Sequence, residues 1–422
     1  MRFILSNKTL STFFIMILLG LLTASAFFLR LDNFKNSPAR SIDEVVYSRM
    51  AKQIRTDINN YNTIPYAEEL MAKGRTLPDY FTQPLFKHPP LFVFLIAVSM
   101  QFFGETMLAA GYVSLLLSAL TIPLVYLLGT SVYDRKAGLI ASLLLWMDPV
   151  SIICSQKVWL GTTLTFFSVL AVLFFSQAVK KEKNIFFLLS GVAVGLAAAT
   201  KYTGCLLTFA FALYAISYRP RLWRNGFFIL SLFLPFVVLT PWFIWNYKVY
   251  GPTLIQNQAT LHYEVVRLFE GFSLLKAGLL IILLFCLGAG LKYFKGDRIQ
   301  DRQTPSIPAA GWLLFTGLLV ILWESIARSL TFGPLPTHSW GSGLFRHEPP
   351  VFYFGRLIEF SFVYVFAFAG LFHLYPDDNS QKNILTLSAI IILAFFILWR
   401  NYQSRYILAA IPFLLILAGR AM

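Results

Sequence analysis

The sequence predicts an all-α polytopic integral membrane protein with about twelve transmembrane helices, or about thirteen if the segment 90–104 also crosses the membrane. Of its 422 residues, 57% are hydrophobic and only 13% are charged, and the mean hydropathy is +0.66. The chain also contains many apolar runs close to the ~20 residues that a spanning helix needs. A soluble globular domain does not have this composition.

The basic charge balance points to the membrane and not to nucleic acid. The formal net charge is +15, but the Lys and Arg residues are scattered among short loops without a nucleic-acid-binding motif. Such charges favour anionic lipid headgroups or a phosphorylated substrate, so we expect contact with membrane lipids and exclude nucleic acid. The cysteines lie in or beside apolar segments and indicate neither a disulfide framework nor a metal site.

The first apolar segment, roughly 9–29, is too long for the core of a signal peptide and is read as an uncleaved helix. Arg2 and Lys8 precede it. Because basic residues favour the cytoplasmic side, we expect a cytoplasmic N-terminus and an outer loop from Arg30 onward.

The remaining spans follow from apolar runs of similar length. They are expected at 108–128, 137–153, 158–179, 185–200, 204–218, 226–245, 273–291, 309–323, 355–375, 384–399 and 405–419. The segment 90–104 is shorter and is read as re-entrant or interfacial, because a crossing there would move the most basic short loops to the outer face. Both termini are then cytoplasmic.

This topology predicts one transmembrane catalytic domain, 1–422, with two long extracytoplasmic loops at 30–90 and 324–354. The first of these loops carries juxtamembrane helices. Most acidic residues and four of the five histidines fall on the outer side. Titratable groups gathered on one side indicate that the protein works there.

The first outer loop contains a helix start with an acidic pair. Ser41 and Glu44 have the spacing of a capping box, and Ile42, Val46 and Met50 follow at helical spacing. The pattern predicts an amphipathic surface helix with Asp43 in its first turn. A carboxylate there serves as a general base or simply stabilises the helix, and the pattern alone favours the second reading.

The loop ends in a second polar element, Lys87-His88-Pro89-Pro90. The two prolines prevent helix continuation and hold Lys87 and His88 at the lipid boundary. A cationic pair at this depth suits a lipid phosphate group, and ordinary anchoring at the interface explains it equally well.

Taken together, these elements resemble the GT-C glycosyltransferases of the protein O-mannosyltransferase and lipid A aminoarabinose transferase superfamily. The matching features are the acidic pair with Tyr47 and Ala51, the His-Pro-Pro-Leu element, GLAAATKYTG (195–204), PWFIWNYKVYG (241–251), HEPPVFY (347–353) and RYILAAIP (405–412). Their order and their placement relative to the spans cover nearly the whole chain.

The resemblance implies inverting transfer of a sugar from a polyprenyl-phosphate donor to a lipid, glycan or protein acceptor, outside a bacterial inner (plasma) membrane. It assigns Asp43 as the general base and Glu44 as its catalytic neighbour. The implied phosphate-binding residues are Lys87, His88, Lys201 and Arg405. The implied substrate-binding residues are Tyr47, His347 and Tyr353.

The sequence departs from the family pattern at several points. Phe86-Lys87-His88 stands where an acidic residue often precedes the prolines, and Gly111 stands where an arginine is common. No cofactor is evident, no metal site is assigned, and a divalent cation has no clear ligand set in the sequence.

Two other readings of the sequence remain open. A transporter or flippase for a lipid-linked or anionic substrate also needs many helices and outer-face cations, although it usually shows charged midplane sites or repeats. A membrane scaffold without catalysis is the third reading, and the clustering of polar residues in one outer loop is evidence against it.

Overall fold

The computed structural model describes residues 7–37, 41–76, 88–251, 352–371, 381–398 and 403–422, with side chains from Thr12 onward. Within these ranges the chain forms α-helices and short 3₁₀ turns, and no strand occurs. The predicted all-α class is therefore confirmed for the part of the chain that the structure describes.

The helices, numbered in chain order, have the following bounds: α1 Asn7–Asn36, α2 Ile42–Thr56, α3 Ile64–Ala72, α4 Leu91–Phe103, α5 Met107–Val132, α6 Arg135–Met147, α7 Pro149–Ser155, α8 Gly161–Lys181, α9 Asn184–Thr200, α10 Leu206–Tyr218, α11 Gly226–Tyr250, α12 Phe352–Phe360, α13 Val363–Leu371, α14 Asn383–Leu398 and α15 Ile411–Ala421. The 3₁₀ turns are Tyr202–Cys205, Pro220–Arg224 and Ser404–Ile407.

Four of these helices are long and apolar enough to cross a membrane: α1 from Thr12, α5, α8 and α11. The bent pair α6 and α7 makes a fifth candidate, and α4, α9, α10, α14 and α15 are shorter apolar helices. The predicted spans 273–291 and 309–323 lie outside the described residues. The total of about twelve spans therefore stays a prediction.

Two predicted spans differ from the helices that the structure forms. The first helix does not end near residue 29 but continues to Asn36. The predicted span 137–153 is broken at Asp148, and its two parts meet at 56°. Pro149 follows the break and lacks a backbone N–H, so the helix before it cannot continue its ladder of hydrogen bonds.

Buried polar side chains stabilise the break in this span. The Asp148 carboxylate caps α7 by accepting the Ser151 N–H at 2.7 Å, and it accepts the Tyr364 hydroxyl from α13 at 2.6 Å. Arg30 on α1 donates to the Trp146 carbonyl at 3.2 Å. Because unsatisfied polar groups are costly inside a membrane protein, these bonds fix α1, α7 and α13 around the break.

Two clusters of buried apolar side chains form the core. The larger is centred on α5, α8, α9, α10, α14 and α15, and it contains the stacked rings of Phe175 and Phe211, whose centroids are 4.1 Å apart. The smaller lies between α2, α4, α5 and the C-terminal half of α1, and includes Phe34, Met50 and Ile96. This second cluster attaches the surface helix α2 to the bundle.

The helix ends form two groups. At the end that carries α2 lie the turn 156–160, the 3₁₀ turn 202–205 and the 3₁₀ turn 404–407, as the contacts described below show. We call this the α2 end. The opposite end carries the short connections after α5, α8 and α10, where the Lys180 ammonium donates to the Ser131 carbonyl and Asn225 donates to Asn184.

Candidate active site

Glu44 fixes the first turn of α2. Its Oε1 accepts the backbone N–H of Ser41 at 2.8 Å and the Ser41 hydroxyl at 3.1 Å, which confirms the glutamate side of the predicted capping box. Its Oε2 accepts the Val158 N–H at 3.1 Å, and the Lys157 ammonium is 3.8 Å from Oε1. The carboxylate is fully buried, and these donors compensate for its lost hydration.

The turn between α7 and α8 closes over the same residues. The indole N–H of Trp159 donates to the Ser41 hydroxyl oxygen at 3.1 Å, and the Trp159 carbonyl accepts from Ser114 on α5 at 3.4 Å. The Ser41 hydroxyl thus donates to Glu44 and accepts from Trp159. The start of α2 is consequently tied to the 156–160 turn by side-chain bonds from both segments.

Asp43 points away from this buried anchor. Its Oδ2 accepts a hydrogen bond from Arg405 Nη1 at 2.8 Å, and the pair is also an ion pair. The Asp43 side chain is 44% exposed, whereas Arg405 is 27% exposed. Neighbouring carboxylates on one helix therefore have different environments: Glu44 is buried in structural bonds, and Asp43 is accessible beside a cation.

Arg405 is held by three further groups. Its Nε donates to Gln403 Oε1 at 2.6 Å. Its guanidinium carbon lies 4.5 Å from the ring centroid of Trp159 and 5.6 Å from that of Tyr406. The planar guanidinium suits such stacking because it is weakly hydrated and keeps its N–H donors at its edges.

Lys201 lies at the C-terminal end of α9, as the sequence predicts. Its ammonium is 4.5 Å from the ring centroid of Tyr406 and 5.5 Å from that of Phe396. Helix α9 ends here because the chain turns back on itself. A Cβ on Gly204 would lie 2.4 Å from the Ala197 carbonyl carbon, so only glycine fits this close approach of backbone to α9.

Tyr47 and His88 pack together behind Asp43. The buried Tyr47 ring contacts the His88 ring edge-on at 5.8 Å, and the Tyr61 hydroxyl donates to the His88 carbonyl at 2.8 Å. Burial, and then the negative charge of Asp43, raise the pKa of the Tyr47 hydroxyl well above its usual value. Burial likewise raises the pKa of Tyr61. Both phenols therefore stay protonated.

The remaining predicted site residues have other placements. Tyr353 is fully buried in α12, the helix that packs beside the 404–407 turn. Lys87 and His347 lie outside the described residues. The structure thus brings together Asp43, Glu44, Tyr47, His88, Lys201 and Arg405 at the α2 end.

Several residues of this arrangement were missed in the sequence. The sequence pattern indicates Ser41 only as a helix cap and does not assign Trp159, Gln403 or Tyr406 to the site. A tryptophan in a short polar turn and a tyrosine directly after the arginine were the available signals. Neither pattern predicts that both rings lie against the same guanidinium, because the two segments are distant in sequence.

Gly111, a departure from the family pattern, has a structural explanation. A Cβ at this position would lie 2.4 Å from the ring of Phe34, which is buried between α1 and α5. Phe34 therefore occupies the space into which an arginine side chain would extend.

Among the described residues, no group of three or more His, Cys, Asp or Glu side chains could hold a metal ion. The chemistry that these residues themselves provide is that of an accessible carboxylate beside a guanidinium and an ammonium. A carboxylate can accept a proton, and the two cations can stabilise an anionic group.

Part of the chain is similar in sequence to a known protein family. Residues 87–245, less than half of the chain, match the family described as dolichyl-phosphate-mannose-protein mannosyltransferase. No curated protein matches the chain in sequence.

Solved structures match over nearly the whole chain. The crystal structure of ArnT from Cupriavidus metallidurans in the apo state is similar with a TM-score of 0.59 and 16% identity, over 97% of this chain and 60% of that one. ArnT bound to undecaprenyl phosphate gives a TM-score of 0.54 at 16% identity, over 96% of this chain and 59% of that one.

An archaeal protein shares the same architecture. The oligosaccharyltransferase AglB from Archaeoglobus fulgidus, in complex with an inhibitory peptide and a dolichol-phosphate, matches with a TM-score of 0.58 and 16% identity, over 99% of this chain and 50% of that one. The chain therefore spans between half and three fifths of the length of these solved structures. Residues 87–245 are thus similar to this mannosyltransferase family, and the chain as a whole shares its fold with ArnT and AglB.

Proposed function

We propose that the protein transfers a sugar from a polyprenyl-phosphate-linked donor to a lipid, glycan or protein acceptor, with inversion at the anomeric carbon. The observation that carries the proposal is the contact between Asp43 and Arg405 at 2.8 Å, with Lys201 held on the neighbouring Tyr406 ring. This contact puts a carboxylate beside the cations that a phosphate leaving group needs.

In the proposed reaction, Asp43 takes the proton of an acceptor hydroxyl or amine. The acceptor atom attacks the anomeric carbon from the face opposite the phosphate, and the bond between that carbon and the phosphate oxygen breaks. The electron pair of the broken bond stays on the polyprenyl phosphate. A single displacement of this kind inverts the configuration, and general-base assistance contributes about 10² to 10⁴ in rate.

The leaving phosphate gains negative charge as the bond breaks, so cations that contact it stabilise the transition state more than the ground state. We assign this role to Lys201 and Arg405, which share the Tyr406 ring. Lys87 and His88 keep their proposed role as further phosphate-binding groups at the entry to α4.

The other predicted residues support or line the site in this proposal. Glu44, buried in four contacts with Ser41, Val158 and Lys157, acts by holding α2 so that Asp43 faces the acceptor. Tyr47 packs behind Asp43 and keeps its proposed substrate-binding role. His347 and Tyr353 keep theirs as residues of the second long loop and its following helix.

We place the reaction on the extracytoplasmic face of a bacterial inner membrane, with both termini in the cytoplasm and 1–422 acting as one domain. The support is the charge at the end opposite Asp43. The short connections there carry a set of basic residues: Arg135, Lys136, Lys180, Lys181, Lys183, Arg219, Arg221 and Arg224. The positive-inside rule favours the cytoplasm for such an end.

The donor class is supported by two of the solved structures with this fold. A crystal structure of ArnT contains bound undecaprenyl phosphate, and a structure of AglB is a complex with an inhibitory peptide and a dolichol-phosphate. Both ligands of this kind present a phosphate at the membrane surface, the group that Lys201 and Arg405 are suited to bind.

The test is sugar transfer by purified protein in membrane extract, with a panel of radiolabelled polyprenyl-phosphate sugars. We expect Asp43→Asn to lower transfer by about 10² to 10⁴, because the amide cannot accept the proton. Asp32→Asn, at an exposed aspartate of α1, is the matched control and should retain transfer.

Undiminished transfer by the Asp43→Asn variant would refute the assignment of the base. Absence of transfer from every donor, together with movement of a lipid-linked substrate across vesicles, would support the transporter reading instead.

A further inference from the structure

The two cations of the site rest on aromatic rings. We define the aromatic cradle as Trp159, Phe396 and Tyr406. Arg405 lies over Trp159 and Tyr406, and Lys201 lies over Tyr406 and Phe396. The rings of Phe396 and Tyr406 are themselves stacked, with centroids 5.5 Å apart and an interplanar angle of 19°. Tyr406 is thus the ring that both cations share.

An aromatic face holds a cation in a different way from a carboxylate. The negative face of the ring attracts the charge and restricts a long, flexible side chain, but it brings no formal counter-charge. It also accepts no strong hydrogen bond from the N–H donors. A ring therefore restrains the position of a cation without neutralising its charge, which stays available to attract an anionic ligand.

Sharing one ring also fixes the separation of the two cations. Arg405 is bonded to the carboxylate of Asp43, while Lys201 belongs to the end of α9. Tyr406 lies between these groups and contacts both. Its ring therefore sets where the ammonium of Lys201 lies relative to the carboxylate of Asp43.

We infer that Tyr406 is a positioning residue of the transfer reaction. Its ring face holds Lys201 and Arg405 at fixed positions relative to Asp43, so that the two cations can bind the phosphate of a polyprenyl phosphate. This inference rests on the proposed function. It assigns the role to the ring and not to the phenolic hydroxyl, and this distinction makes it testable.

The experiment compares Tyr406→Phe with Tyr406→Leu. Because a ring face contributes through its electrons, the phenylalanine variant should keep the donor KM of the native protein. The leucine variant should raise the donor KM by about 3-fold to 30-fold and leave the acceptor KM unchanged. Phe236→Leu, at a ring that is 54% exposed on α11, controls for the loss of an aromatic residue elsewhere.

A second series keeps the shape of the ring and changes only its electrons. Phenylalanine with increasing fluorine content is introduced at position 406, which progressively removes the negative face. The affinity for undecaprenyl phosphate, measured by displacement of the radiolabelled lipid, should fall with each added fluorine. The same affinity for undecaprenyl phosphate in all fluorinated variants would overturn the inference. Equal donor KM values for the phenylalanine and leucine variants would also overturn it.

Failure of the inference can be told apart from failure of the proposed function. If Asp43→Asn abolishes transfer but Tyr406→Leu has native kinetics, only the role of Tyr406 is refuted. If the leucine variant has a native donor KM but a smaller active fraction, Tyr406 has only a structural role, and the inference is also refuted. If Asp43→Asn transfers normally, the proposed base is refuted, while the undecaprenyl phosphate series still tests the ring.

Discussion

The guanidinium of Arg405 donates a hydrogen bond to the carboxylate of Asp43 at 2.8 Å across a separation of 362 residues. This contact joins the surface helix α2 to the turn before the last helix. It brings the acidic pair of the first loop into contact with a cation of the C-terminal motif. The geometry of the guanidinium matters here as well as its charge.

Replacing Arg405 with lysine keeps the charge and removes the planar fork of donors. The guanidinium donates to Asp43 and Gln403 from one rigid plane whose face lies on the Trp159 ring. An ammonium has no such plane and cannot make these contacts together. We expect kcat to fall by roughly 10-fold to 100-fold, since small misplacement of reacting groups has effects of this size. The measurement is steady-state sugar transfer. Arg224→Lys at the opposite end is the control, and native kcat in the Arg405 variant would contradict the expectation.

Substituting Glu44 with glutamine tests whether this residue acts in structure or in chemistry. Its two oxygens accept from Ser41 and Val158, and an amide would turn an NH₂ group toward one of these donors. We expect a loss of about 1 to 3 kcal/mol in the free energy of unfolding. Thermal unfolding in detergent measures it, with the exposed Glu68→Gln as control.

A different result would give Glu44 a chemical role. If the glutamine variant unfolds like the native protein but loses as much transfer as Asp43→Asn, the acidic pair acts together in the reaction. The anchoring role that we propose would then be incorrect.

Alanine at position 204 should destabilise the end of α9. The added Cβ would lie 2.4 Å from backbone atoms of Ala197 and Ala198, which cannot move independently of the helix. We expect a loss of roughly 1 to 3 kcal/mol, typical of overpacking. The matched control is Gly226→Ala, where no atom lies within 4 Å. Comparison of the two unfolding midpoints measures the effect, and equal midpoints would show that the approach is not tight.

The surface ion pairs of α3 give a prediction for low pH. Hydrogen bonds from Arg49 and Lys73 lower the pKa of Glu69 from 4.5 to about 2. Because the folded pKa lies below the unfolded one, the contribution to stability is fully present above about pH 4.5 and is lost as the pH falls towards 2.

The measurement is the difference in unfolding midpoint between the native protein and Glu69→Gln as a function of pH. We expect a small, constant difference above pH 4.5 that shrinks towards pH 2. Exposed pairs of this kind contribute little, so the shape of the curve is the readout and not its height. A difference that grows at low pH would have the wrong sign and would contradict the assignment. Glu68→Gln is again the control.

The sequence by itself determined the membrane class, the start of α2 and the position of Lys201 at the end of a helix. These features depend on composition, on the spacing of Ser41 and Glu44, and on an apolar run that ends at a polar residue, all of which are local. Pro149 is also a local signal for the break at Asp148. The apolar residues on both sides of it nevertheless favour one continuous span in the sequence.

Only the tertiary structure decided which residues share the site. The contact of Arg405 with Asp43, the stacking on Trp159 and the shared Tyr406 ring join segments from four distant parts of the chain. Such contacts depend on how the helices pack against one another, and the periodicity of the sequence does not predict this packing. The same is true of the different burial of Asp43 and Glu44. They are adjacent in sequence, but consecutive residues on a helix point about 100° apart, and the 156–160 turn covers only one of them.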